Sequence, residues 1–182
     1  MKELKEKFKR FEVVTGNDIA YWYHESRYEN KDKGSLGSSC MRHPRCQSYF
    51  DIYTQNDEVS LIILKSKNDP NNTIIGRALL WTLDDGRQVM DTIYTSKDSD
   101  RNVFIEYGNS KGYLQMSYGQ TVTAHIHPGT FEQYPSVDNM NNWNPETGQI
   151  SNRSFPGSRG IIWSENDGDE EWEDDDAWRD DD

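Results

Sequence analysis

Cys40, His43 and Cys46 follow one another at intervals of three, and two thiols with an imidazole between them are groups that ligate zinc. His24, His125 and His127 are the candidate fourth ligands. Structural zinc sites more often present paired Cys-x-x-Cys or His-x(3–5)-His knuckles. The plainer expectation is therefore that no metal is held: Cys46 faces the core from a helix and His43 caps its start. Cys40, just ahead of that helix, also has the position of a thiolate nucleophile, because a helix N-terminus stabilises the anion. Any of the four histidines would be its base, but no acidic residue stands at a recognisable orienting distance in sequence. His125-x-His127 sets two imidazoles on one face of a strand, a geometry that grips a metal, while Pro128-Gly129 directly after it favours two solvated side chains.

The strongest chemical signal lies at the other end of the chain. Residues 164–182 hold 12 acidic residues and one basic one, Arg179, a net charge of −11 out of −12 for all 182 residues. The remaining 1–163 is nearly neutral, with 20 acidic and 19 basic residues. Repulsion at that density predicts a tail that is disordered when free. A tail serving solubility alone has no need of Trp172 and Trp178. Aromatic rings set among Glu171, Glu173, Asp174, Asp175 and Asp176 can enter a pocket while the carboxylates meet lysines and arginines. The pattern is similar to the acidic tails of single-stranded-DNA-binding proteins and to segments that imitate a nucleic-acid backbone. The expected partner is thus a protein with a basic surface. Residues 2–10 offer an internal basic alternative for the same tail. Direct nucleic-acid binding is disfavoured, since a neutral body lacks the field that drives phosphate contact.

The elements that position these residues are read from apolar patterning. Val59–Leu64, Thr73–Leu83 and Val89–Thr95 are three apolar runs separated by Asn68-Asp69-Pro70-Asn71-Asn72 and Asp84-Asp85-Gly86, which predicts an antiparallel three-strand meander with a tight second turn. Leu4, Phe8 and Phe11 share a helical face in Lys2–Phe11. The stretch from Phe11 to Tyr23 reads as a strand or loose hairpin, and 25–39 as a surface loop without a buried element. Cys46, Tyr49, Phe50 and Tyr53 fit one face of a helix with Pro44 in its first turn. Asp98-Ser99-Asp100 reads as an acidic cap on a helix that Gly112 stops, and Tyr113–Tyr118, Thr121–His127 and Ile161–Trp163 as further strands. Residues 128–160 form a loop-rich lobe pinned by Phe131, Tyr134, Trp143 and Phe155. No run approaches the roughly 20 apolar residues of a membrane span, and two cysteines predict reduced thiols in an intracellular protein.

The order helix, three antiparallel strands, helix, strand over roughly residues 44–126 resembles the central part of the GNAT acyltransferase fold. The resemblance implies an α+β domain with an antiparallel central sheet, and a helix after the third strand whose N-terminus takes the pyrophosphate of acyl-CoA. Family members that bind CoA present an Arg/Gln-x-x-Gly-x-Gly/Ala turn there. This chain has Tyr94-Thr95-Ser96-Lys97-Asp98-Ser99-Asp100-Arg101-Asn102, with no glycine and two aspartates where a polyanion would sit. The expectation is a GNAT-like scaffold with no cofactor. Gly34–Arg42, with the helix behind it, resembles segments of uncharacterised bacteriophage proteins, as do Tyr134–Met140 and Gly148–Asn152; this implies a phage origin and no particular activity.

The combined expectation is one GNAT-like α+β domain, 1–163, carrying a disordered acidic tail, 164–182. Its role is non-enzymatic: a phage-type accessory protein of the host cell cytoplasm, or of the virion, that blocks or recruits a protein through a basic surface. An acyl-CoA-dependent acyltransferase and a virion or assembly component are the alternatives.

Overall fold

The computed structural model describes residues 6–115, apart from 45, 47–49 and 84, together with 121–122 and 150–151. At its centre lies the meander. Strands β2 (Val59–Lys65), β3 (Ile74–Thr82) and β4 (Gln88–Thr95) pair antiparallel in sequence order. The β3–β4 turn closes through Leu83 N–H donating to the Arg87 carbonyl (2.8 Å) and Gly86 N–H to the Leu83 carbonyl (2.9 Å), with Gly86 at φ +86°. Strand β1 (Phe11–Val14) adds antiparallel to β2, and β5 (Leu114–Gln115) adds parallel to β4, giving the order β1-β2-β3-β4-β5. A separate two-strand ladder joins β6 (Thr121–Val122) to β7 (Ile150–Ser151).

Strand side chains alternate between faces, so unbroken apolar runs signal a sheet covered on both sides. Leu61, Ile63, Leu79 and Trp81 enter one core, against Ile19 and Tyr23 of α1 (Asn17–Tyr23), Leu36 of α2 (Gly34–Ser38) and Tyr53 of α3 (Asp51–Thr54). Ile62, Leu64, Ala78, Leu80 and Met90 enter the other, beneath Phe104 and Tyr107 of α4 (Asp98–Lys111). The α+β class, the meander and the flanking helices are therefore as the sequence predicts. The order β2-β3-β4-α4-β5 is also the one on which the acyltransferase resemblance rests.

Several local expectations are corrected. Phe11–Tyr23 is a strand followed by helix α1, not a hairpin, because Ile19 and Tyr23 stand one turn apart and are both fully buried. Residues 25–39 are more than a surface loop. They contain a 3-10 turn at Glu25–Arg27 and helix α2, with Tyr28 and Leu36 buried and Tyr28 bridging in parallel to Ile74. Two apolar anchors suffice there because glycines bring the backbone close. Of the helix expected from Pro44 to Asn56, the described residues show the single helical turn α3, with a 3-10 turn at Cys40–Arg42 ahead of it, and residues 45 and 47–49 lie outside the described residues. His43 follows that turn in extended conformation, φ −76° and ψ 145°, which is the region a residue before proline favours. The strand starting at Phe11 shortens the expected amino-terminal helix, although Phe8 and Phe11 do share a contact surface: both pack on Tyr107. The N-cap of α4 is Lys97, without a side-chain capping bond; Asp98 and Asp100 occupy the first turn, where the helix dipole favours them. Of the expected strands over Tyr113–Tyr118 and Thr121–His127, only β5 and β6 fall among the described residues, and β7 lies within the stretch read as loop-rich. The rest of that lobe, Ile161–Trp163 and the acidic tail lie outside the described residues.

The α4 core yields a pH prediction. Burial, and after it the neighbouring Tyr113 hydroxyl, push the Tyr107 pKa from 10 up to about 12. The folded state therefore holds the phenolic proton more tightly than the unfolded chain. That stability is complete below pH 10 and is lost as pH rises through 10 towards 12. Denaturant midpoints are expected to fall in that window, and Tyr107→Phe to flatten most of the fall. An equal fall in the variant would assign it to other groups.

Candidate functional site

Two places collect the residues that sequence reasoning singles out: the junction of β4 with α4, and the segment from His24 to Cys46 packed across the opposite face.

At the junction, Thr95 pairs with Gly76 on one side, while its other edge is taken by α2. Ser35 Oγ accepts the Thr95 N–H (2.9 Å) and donates to the Thr95 carbonyl (3.3 Å). A Cβ on Gly34 would lie 2.3 Å from the Thr95 carbonyl oxygen and 2.7 Å from that of Ser96, so the helix rests directly on the strand end. The next N–H, of Ser96, goes to the Ile75 carbonyl (3.0 Å). Backbone donors that a glycine-rich turn would leave bare for a pyrophosphate are thus already engaged at Thr95 and Ser96. Asp98 and Asp100 add negative charge in the turn that follows.

Further back along β4, Asp91 and Thr92 together face Leu79 in a bulge. Asp91 Oδ1 accepts the Thr92 N–H (2.7 Å) and Oδ2 accepts the Trp81 indole N–H (2.8 Å). The ladder to β5 covers Val89 and Met90, immediately before this bulge. A carboxylate in mid-strand is chemically competent as a proton acceptor, and the alternation of Val89-Met90-Asp91-Thr92-Ile93 gives no sign of a special position.

His24 and His43 turn to separate partners. Cys40 opens a 3-10 turn of three residues, too short to carry a useful dipole. Cys46 is buried, and its N–H donates to the His43 carbonyl (3.0 Å). The His43 imidazole turns towards Glu25, with Nδ1 3.7 Å from Oε2, and Arg42 holds that same oxygen at 2.8 Å. His24 Nδ1 contacts Ser26 Oγ at 2.7 Å. Among the described residues there is no group of three His, Cys, Asp or Glu placed to hold a metal ion. His125 and His127 lie outside the described residues, as do Glu171, Trp172, Glu173, Asp174, Asp175, Asp176 and Trp178.

What does converge is a buried cation that sequence reasoning misses. Arg77, at the centre of β3, is fully buried. Its guanidinium lies 3.8 Å from the Tyr23 ring centroid and 4.5 Å from that of Tyr94. Nε donates to the Tyr28 hydroxyl (3.1 Å) and a terminal nitrogen to Ser39 Oγ (2.8 Å), while the Tyr28 hydroxyl donates to the Tyr23 carbonyl. One side chain thereby ties α1, the 3-10 region and the residue before Cys40 to the sheet. A lone arginine inside Ile75-Gly76-Arg77-Ala78-Leu79 is the signal that marks it.

No protein-family model matches the chain, and no curated protein matches it. Among solved structures, it is similar to the crystal structure of a ribosomal-protein-alanine N-acetyltransferase from Brucella melitensis biovar Abortus 2308, at 12% identity. That match covers 58% of this chain and 74% of the other, with a TM-score of 0.34. A likeness at that level adds no weight to the topology, which stands on its own ladders. No helix among the described residues is long and apolar enough to cross a membrane.

Proposed function

We propose that the chain is a non-enzymatic accessory protein of bacteriophage type that binds a basic surface on a host or phage protein and blocks or recruits it. The observation that carries this reading is the partition of charge: nearly the whole net charge of −12 lies in residues 164–182, around Trp172 and Trp178. Carboxylates supply long-range attraction to lysine and arginine, and buried indoles supply the short-range anchor. The β4–α4 junction lends support from the other side. Its backbone donors at Thr95 and Ser96 are bonded within the fold, and Asp98 and Asp100 disfavour a pyrophosphate there.

The test is affinity capture from infected or host cells with three baits: the full chain, the full chain carrying Trp172→Ala and Trp178→Ala, and a chain ending at Trp163. A protein retained by the first, lost with the other two, and released by raising salt to about 0.5 M is the expected result, since screening shortens the reach of exposed charges. Equal retention by all three baits, at low and high salt alike, overturns the tail-led reading.

A second reading, an acyl-CoA-dependent acyltransferase, draws on one observation: α4 follows β4 and returns to a parallel β5 beside the Asp91 bulge. Acetyl-CoA raising the melting temperature of the full chain in a saturable way would favour it over the first.

A further inference from the structure

Strand β1 forms an outer edge of the five-stranded sheet: β2 lies on one side of it, and no strand lies on the other among the described residues. The Arg10 carbonyl accepts the Lys65 N–H (3.0 Å), so in the alternating antiparallel ladder Glu12 and Val14 bond towards β2. The N–H and carbonyl of Val13 and the carbonyl of Phe11 point outwards, without a backbone partner among the described residues. Little guards this edge. Val13 is 37% exposed, and the one charge in the strand, Glu12, is held by Lys65 at 2.5 Å. Unguarded edges invite pairing with another strand, and natural folds cover them. The two ends of the edge differ in charge. Lys7, Lys9 and Arg10 stand just before it, with Glu6, whereas Thr15-Gly16-Asn17-Asp18 after it holds no cation. Lys7 pairs with Glu106 and Arg10 donates to the Lys65 carbonyl (2.9 Å), while the exposed Lys9 enters no ion pair among the described residues.

We propose that Ile161-Ile162-Trp163 adds to this edge as an antiparallel strand, and that the acidic residues directly behind it lie against Lys7, Lys9 and Arg10. Strand addition of this kind takes its affinity from main-chain bonds and its selectivity from alternate side chains. Ile161-Ile162-Trp163 is apolar and suited to a strand, and 12 acidic residues against one basic residue follow it at once. Charge sets the direction. Antiparallel addition takes the chain from Ser164 onwards past the basic amino end of β1, whereas parallel addition would take it past Asp18. One register meets both demands, with Ile161 opposite Val13 and Trp163 opposite Phe11. It uses the outward backbone groups and places both side chains on the face where Phe8 and Phe11 pack on Tyr107. Glu165 then arrives beside Lys9. The chain is long enough for this. Five strands at about 4.8 Å spacing put β5 roughly 20 Å from β1, and the 45 residues from 116 to 160, at about 3.3 Å each, reach well beyond that. The arrangement needs no partner, so it stands or falls apart from the capture of a basic protein; such a protein would compete with Lys7, Lys9 and Arg10 for the same carboxylates.

The test is amide hydrogen exchange by NMR on the full chain, with the parent measured beside Ile161→Pro and Lys9→Glu. Ile161→Pro removes the N–H that the Val13 carbonyl would accept. The Val13 amide is expected to exchange at least about tenfold more slowly in the parent than in Ile161→Pro. Nuclear Overhauser contacts from the Trp163 indole to Phe11 are expected in the parent alone. Lys9→Glu, on an exposed side chain, is expected to lose about threefold of the Val13 protection at low salt with an unchanged melting temperature. A Val13 amide that exchanges equally fast in the parent and in Ile161→Pro overturns the proposal. So does protection that falls on dilution, which would give the edge to a second copy of β1. A Lys9→Glu protein protected as well as the parent overturns it too, because it removes the charge that sets the direction.

Discussion

Arg77→Ala is expected to cost about 3–5 kcal/mol of folding stability, the range for emptying a large, fully buried side chain. The guanidinium is fully buried and stacked against Tyr23 and Tyr94, and such contacts reach about 2 kcal/mol when desolvated. Its removal also leaves the Tyr28 and Ser39 hydroxyls each short of a donor, and opens a void between β3 and the 24–42 segment. Two further substitutions separate the contributions. Arg77→Lys keeps the charge but not the planar fork that reaches two hydroxyls at once, so it should fall between alanine and the parent. Arg77→Met keeps most of the volume and removes the charge altogether. If urea denaturation places Arg77→Met close to the parent, the arginine contributes packing more than bonds, as some buried ion pairs do when replaced by apolar residues. If methionine costs nearly as much as alanine, the hydrogen bonds and ring contacts carry the energy.

The same residue explains where sequence is readable and where it is not. Val59–Leu64 and Val89–Thr95 are legible because long apolar runs between turn residues have few other uses. The α4 helix is legible from its spacing and its glycine stop. Residues 25–39 are not, because their stability comes from partners distant in sequence. Tyr28 is held by Arg77, 49 positions away, and Ser35 by Thr95, 60 positions away. Local composition reports none of that, so a polar glycine-bearing stretch looks like a loop even where Leu36 is fully buried. Tyr23 reads as part of a strand for a related reason. Aromatic and β-branched residues suit strands by propensity, and only the four-residue spacing to Ile19 argues otherwise. Cys40, His43 and Cys46 are another case: their spacing is suggestive in the chain, while Pro44 favours extended backbone at His43, whose imidazole lies towards Glu25.

Gly34→Ala is expected to cost at least ~3 kcal/mol, more than its backbone conformation alone accounts for. Gly34 has φ +65°, where an added Cβ brings a penalty of about 1–2 kcal/mol. Gly112, at φ +74° in the α4 cap, would meet no atom within 4 Å if it carried a Cβ, and so measures that penalty by itself. At Gly34 the Cβ would meet the carbonyl oxygens of Thr95 and Ser96 at 2.3 and 2.7 Å, and both are backbone atoms that cannot turn aside. Relief requires lifting α2 from β4, which breaks both Ser35 bonds to Thr95 and exposes Leu36. Chemical denaturation of the two alanine variants side by side reads the difference directly. A Gly34→Ala protein no less stable than Gly112→Ala would mean that α2 is not seated on the strand end. Acetyl-CoA added to the Gly34→Ala protein then asks a functional question. Binding that appears only when α2 is displaced would identify the Ser35–Thr95 contact as what closes the β4–α4 junction, and would shift the balance towards the acyltransferase reading.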